Sequence, residues 1–343
     1  MDAAAALTSH VDAFQRRHRV VGFPLGVLYK FIDDQGNYLA AVVTYYAFVA
    51  IFPLLLIASS VLGFLLQDNA ELRNEVLNGA LSQFPIVGTE LGTPKSLQGS
   101  TSAVVVGTLV ALYGVLGLGQ AALNAVNVVW AVPRNSWLNP VLSRLSSLAL
   151  LVLAGLTVLA VTVLSSIVSH ADAFGPDYDR GLGWLLTLAS ITLNALMLAT
   201  MMRLATRARQ SFRSSLPGAI AVALMWQLLQ MLGGTYVSRV IARVSDVNAV
   251  FAIVLGLLAL LYIAAVMAVI GLEINVVLAH RLYPRSLMTP FTDAVELTEA
   301  DRRAYAGYAE AQRHKGFQRV RVSFDPSMDK KDGDLNTAGS DHE

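Results

Sequence analysis

Six long apolar stretches constrain this chain more than any other feature. They run over Leu39–Leu66, Ser102–Leu123, Leu145–Val168, Leu182–Met202, Leu216–Val237 and Ala249–Leu278, and none contains a Lys or Arg. A bilayer core about 30 Å thick takes roughly 20 residues of helix. Each stretch is apolar on every side instead of along one stripe, as a helix must be that meets lipid or other helices all round. Backbone polar groups find no water in hydrocarbon, which makes the helix the economical conformation. Charged residues are only 14% of the chain, against about 25% in soluble domains. The expected fold is all-α: a polytopic membrane protein with six transmembrane helices, both termini cytoplasmic, plus short interfacial helices.

Orientation follows from Lys and Arg, which concentrate on the cytoplasmic side of short loops. Twenty of the 25 fall in the N-terminal segment, the second and fourth loops and the C-terminal segment; Arg73, Lys95, Arg180, Arg239 and Arg243 make up the other side. The chain divides into a cytoplasmic or interfacial arm over 1–37, a six-helix domain over 38–283 and a cytoplasmic tail over 284–343. In the arm, Phe23, Leu25, Val27, Leu28 and Phe31 are expected to dip into the interface while Lys30, Asp33 and Asp34 stay wet. Between the first two spans, Glu71–Phe84 carries apolar residues at helical spacing, and the Gly, Pro and Ser of 88–102 read as a loop. In the tail, Thr298-Glu299-Ala300-Asp301 is a helix-start pattern, giving a short helix to about Arg313. Residues 323–343 have the composition of a disordered segment. Residues 1–20 lack the apolar core and cleavage site of a signal peptide, so the first span is the expected insertion signal.

Polar groups inside lipid are costly, and each is a functional candidate. Glu273, late in the sixth span, must meet a cation, take a proton or face water. Arg203, Arg207, Arg281 and Arg134 are the cytoplasmic charges that could serve it. Two readings stand: a proton- or substrate-linked site in a vestibule, or a structural salt bridge. Asn275 falls about 200° round the helix from Glu273, so the two do not share a face. Gln120, Asn124 and Asn127 form one stripe on the second span, and Gln227 and Gln230 another on the fifth. Such stripes line a polar path or bond neighbouring helices, the commoner use. Tyr45 and Tyr46 lie on adjacent faces of the first span. Pro53 removes a helix hydrogen bond there and is a candidate kink. Gly114, Gly117 and Ala121 allow close packing within one chain or between copies, which leaves a homo-oligomer open.

Several classes are disfavoured. With no cysteine, there is no disulfide, thiolate metal site or cysteine nucleophile. The six histidines, at 10, 18, 170, 280, 314 and 342, include no zinc-ligand pair on one helix. No phosphate-binding loop, catalytic triad or ion-selectivity filter is recognisable. The expectation is a protein without enzyme activity, metal or cofactor.

Tyr38-Leu-Ala-Ala, Tyr45-Tyr46-Ala and Phe52-Pro53-Leu-Leu-Leu open a series of motifs. Ala122-Leu-Asn124-Ala-Val-Asn127 follows, with Arg134 and Trp137. Leu216-Pro217-Gly218-Ala219, Trp226 and Gly271-Leu-Glu273-Ile-Asn275 complete it. In this order and spacing, over roughly 20–285, the chain resembles the YihY/BrkB family of bacterial inner-membrane proteins, formerly labelled ribonuclease BN. It departs at Leu257–Leu261, where a tryptophan would precede Tyr262, and at Asn248-Ala249-Val250, where a Tyr-Gly pair is usual. The resemblance implies a six-helix inner-membrane protein, in some members associated with export of envelope lipids. RNA hydrolysis would need a soluble basic surface with clustered acids or histidines, which is lacking, so no nucleic-acid partner is expected. The expected function is transporter-like handling of an envelope lipid, glycolipid or other amphipathic molecule, with membrane lipids as partners. A non-catalytic scaffold for envelope assembly is the alternative.

Overall fold

The structure is a computed structural model that describes residues 11–65, 101–169, 179–208, 210–240, 246–287, 289 and 295–324. The expected helix over Glu71–Phe84, the part of the expected 88–102 loop up to 100 and the segment after 324 lie outside the described residues; Thr101 and Ser102, expected in that loop, instead open a helix. Toward the other ends of the long helices, the Pro53 side chain included, only the helical backbone is described.

Among the described residues the chain is helical, with no strand. After a helical segment at 11–17 come α1 (Arg19–Asp33), α2 (Gly36–Leu65), α3 (Thr101–Val129), α4 (Pro140–Ser169), α5 (Asp179–Ala205), α6 (Phe212–Val240), α7 (Asp246–His280) and α8 (Glu299–Ala311). Five carry windows long and apolar enough to cross a membrane: Leu112–Val129, Pro140–Ala160, Leu188–Ala205, Phe212–Leu232 and Val254–His280. The described apolar part of α2, Gly36–Ile51, is shorter.

The six long helices pack as a ring in chain order. Each touches the next, α7 closes on α2, and α3 also reaches across to α5 and α7. Accordingly α3 is the most enclosed, with half of its Leu112–Val129 window buried. The ring is filled at one end by Leu123, Val126, Val129, Trp130, Ala199, Met202, Ala219, Val222, Val269, Leu272 and Val276. Around this core, large apolar residues such as Leu145, Val152, Leu156, Leu228 and Leu255 face outward. A soluble protein would not leave so much apolar surface uncovered; for helices in lipid it is the favourable arrangement.

α1 and α8 lie across the filled end of the ring, and their polarity corrects the expectation for the arm. Lys30 and Asp34, expected wet, are buried at 1% and 8% exposure, whereas Val20, Val21, Leu28 and Ile32 face outward. The reason is the surroundings. A helix lying against a bilayer gains by turning apolar residues out and polar ones in, where they find partners. Close approach makes this possible: a Cβ at Gly26 would stand 3.0 Å from the Leu282 carbonyl oxygen and 3.1 Å from the Tyr283 Cβ. With no side chain there, α1 settles on the end of α7, and Lys30 follows one turn later.

The chain after 284 is likewise no free tail at its start. Thr298 caps α8 with a capping box: its hydroxyl accepts from the Asp301 N–H at 3.1 Å, and the Asp301 carboxylate accepts from the Thr298 N–H at 3.0 Å. The same carboxylate also serves the site below, which ties α8 to the bundle.

Candidate functional site: a buried charge cluster at the filled end

Glu273 is fully buried. Its ion-pair partner is Lys30, with the ammonium 3.6 Å from Oε2. None of the four arginines considered from sequence pairs with it: Arg134, Arg203, Arg207 and Arg281 are all exposed. Arg134 instead stacks 4.7 Å over Trp137, and the Arg281 carbonyl accepts from Arg303 at 2.7 Å. The physical reason is reach. The end of α7 is covered by α1, so the nearest cation comes from the N-terminal arm.

Lys30 serves several acceptors at once. Its ammonium donates to Asp34 and, at 3.0 Å, to the Val129 carbonyl that α3 leaves unpaired at its end. It also lies 5.1 Å from the centre of the Tyr308 ring on α8, within cation–π range. Two carboxylates thus share one ammonium, and neither Glu273 oxygen has a hydrogen-bond partner among the described residues. Burial raises the Asp34 carboxyl above its ordinary range, and Lys30 only partly offsets this. Burial, together with the Asp34 and Asp33 carboxylates, also raises the Tyr308 phenol well above its ordinary value.

A second cluster adjoins the first. Arg285, fully buried, donates to Asp301 through Nε and to Asp33 through an NH₂ group, each at 2.6 Å. The Asp301 carboxylate also accepts from the Ser286 N–H at 2.9 Å, and the Tyr308 hydroxyl reaches Asp33 at 3.3 Å. Burial disfavours the charged guanidinium, but Asp33 and Asp301 outweigh it and hold Arg285 above its ordinary range. Arg285 and Asp301 were not among the candidates read from sequence. The capping pattern at Thr298 was visible, but nothing local says that Asp301 also pairs.

The remaining candidates fall in different places. Asn275 clasps α6 to α7: its Oδ1 accepts from the Gly218 N–H at 2.7 Å and its Nδ2 donates to the Ser215 carbonyl at 3.1 Å. Gln120 bonds Ser147 at 2.6 Å and Ser143 at 2.8 Å on α4. Asn124, one turn along the same stripe, is exposed, and Asn127 is buried. Gln227 and Gln230 are half-buried on α6. Tyr45 is exposed, and the Tyr46 hydroxyl meets that of Tyr113 at 3.3 Å. Gln120 and Asn275 therefore join helices, while Asn127 alone of the stripes lies beside the charge cluster. It lines a cavity of about 240 Å³ with Asp33, Asp34, Arg134, Trp137 and Tyr308. Among the described residues no group of His, Cys, Asp and Glu could hold a metal ion.

A bundle of apolar helices with outward-facing apolar side chains and a buried charge cluster at one end defines an integral membrane protein. Residues 27–294 match the family model described as Virulence factor BrkB, and the chain belongs to that family, also called the YihY family. No curated protein and no solved structure matches the chain.

Proposed function

We propose that the chain crosses the bacterial inner membrane six times, with both termini cytoplasmic, and handles an envelope lipid or glycolipid in a transporter-like way. α2 is 30 residues long, about 45 Å of helix, which exceeds the hydrocarbon thickness and supports a sixth span. The Lys and Arg bias puts the filled end of the ring on the cytoplasmic side. The observation that carries the reading is the Lys30–Asp34–Glu273 cluster. A buried ion cluster contributes little to stability compared with apolar packing, and this one is short of partners at Glu273. Such groups in a membrane bundle mark pathways and moving parts. Here the cluster would latch the cytoplasmic end of the ring, and opening it would require α1 and α7 to part. The protein carries no catalytic step in this reading.

The test is mass spectrometry of lipids retained after detergent-free extraction into native-membrane discs. One lipid class should be enriched over the bulk membrane, and Glu273→Gln should reduce that enrichment while the thermal unfolding temperature holds. A bound-lipid profile equal to the bulk membrane would refute lipid handling.

One observation favours a scaffold as the second reading: Phe317, beyond α8, is 90% exposed. Removing everything from 287 onward would not test this, because α8 and its Asp301 hold Arg285. Removing 316–343 leaves α8 and its capping intact. A transporter should keep its enriched lipid after that truncation. A scaffold should keep its fold but lose co-purifying envelope proteins.

A further inference from the structure

The cavity beside the charge cluster lies where the apolar spans stop. Asp33 and Asp34 precede the apolar run that begins at Gly36, and Asn127 stands at the end of the Leu112–Val129 window. On the proposed spans, this is the depth of lipid headgroups in one leaflet. The stack of exposed Arg134 on half-buried Trp137 on its wall is of the kind found at membrane interfaces.

Its polar wall is rich in acceptors. Asn127 is 8% exposed, and its Oδ1 has no hydrogen-bond partner among the described residues. Asp34 shares Lys30 with Glu273, and Asp33 shares Arg285 with Asp301. Among the described residues, two cations, Lys30 and Arg285, thus stand in contact with these four acidic side chains. A buried acceptor without a donor is costly, and a surplus of carboxylates attracts a further cation. Across the cavity, exposed Arg134 supplies a single positive charge suited to a phosphate.

We propose that this cavity is a headgroup pocket for a phospholipid bearing a primary ammonium, of the ethanolamine phosphate type, with the ammonium at Asp33, Asp34 and Asn127 and the phosphate at Arg134. The proposal rests on the lipid-handling reading and names its substrate class. A primary ammonium offers three N–H donors to match the three acceptor side chains. A quaternary ammonium offers none and is recognised by open aromatic faces. Here the Trp137 face is covered by Arg134 and the Tyr308 face is turned to Lys30. The volume of about 240 Å³ suits a compact headgroup and leaves the acyl chains in the bilayer.

The experiment uses the purified full chain in detergent, with native mass spectrometry after adding phosphatidylethanolamine or phosphatidylcholine of identical acyl chains. The ethanolamine lipid should be retained about tenfold better, and Asn127→Leu and Arg134→Gln should each lower its retention about tenfold. Arg134 is exposed, so its variant leaves the fold standing even if the Asn127 variant does not. Equal retention of the two lipids, or an unchanged Arg134→Gln, would overturn the pocket. Soluble glycerophosphoethanolamine separates the two sources of this chemistry. Failure to displace the lipid fits a membrane ligand, and full displacement at equal concentration would overturn the lipid assignment in favour of a free phosphate ester. If the native discs instead enrich a lipid without ethanolamine, lipid handling stands and this pocket assignment falls.

Discussion

Lys30→Met is expected to destabilise the bundle by about 3–5 kcal/mol, the usual cost of stripping one partner from a buried ion pair. Lys30 is 1% exposed, and methionine fills much of its volume, so packing loss is small and the change isolates the charge. Without the ammonium, Asp34 and Glu273 face each other with no other ion-pair partner among the described residues, and the Val129 carbonyl loses its donor. The double variant Lys30→Met/Glu273→Gln should recover a substantial part of the loss, because it removes one of the two stranded charges. Thermal unfolding of the purified proteins in one detergent checks both. A single variant as stable as the parent would show that the cluster is not held by Lys30, and the latch reading would go with it. If the charge pair is a latch and not a permanent strut, the double variant should also hold the filled end of the ring together less selectively. Its bound-lipid profile should then move toward the bulk membrane even where stability returns.

The long apolar helices, five of them long and apolar enough to cross a membrane, were legible because twenty apolar residues in a row have few other fates, and the start of α8 because a capping box is a local pattern. The charge cluster was legible only in half. Glu273 stands out as a carboxylate in an apolar run, but its partner comes from the far end of the chain. The cations that loop position offers it are Arg134, Arg203, Arg207 and Arg281. From sequence Lys30 reads as the wet side of an interfacial helix; packing of α1 on α7 turns it inward instead, and the local sign is the pair Gly22 and Gly26 on the face that α1 presents to the 282–285 segment. Arg285 was hidden because a change of composition after Tyr283 resembles the start of a tail. The polar stripes show the opposite problem: spacing puts Gln120, Asn124 and Asn127 together, but Gln120 bonds α4, Asn124 is exposed and Asn127 lines the cavity. A helix's own sequence sets its stripes, and the packing of the other helices decides what each stripe does.

Gly218→Ala is expected to cost about 2–4 kcal/mol, by overpacking and by disturbing a buried hydrogen bond. An added Cβ would fall 1.8 Å from the Gly271 carbonyl oxygen and 2.7 Å from the Asn275 Nδ2. The first of these is backbone, which cannot swing aside as a side chain would, so α6 and α7 must separate locally. Separation lengthens the 2.7 Å bond from the Gly218 N–H to Asn275 and the 3.1 Å bond from Asn275 to the Ser215 carbonyl. Gly155→Ala on α4 is the matched control: its Cβ would meet nothing within 4 Å, so its unfolding temperature should stay within error of the parent. Gly271 precedes Glu273 by two residues, so a shift of α7 here also moves the carboxylate away from Lys30. The loss in Gly218→Ala should therefore be less than additive with that in Lys30→Met, since each disturbs the same contact. Strict additivity would mean that the clasp and the charge cluster act independently. Undiminished stability in Gly218→Ala would mean that α6 and α7 part at this point without cost, which is the behaviour of a hinge and would place the moving joint of the bundle at Gly218 instead of at α1.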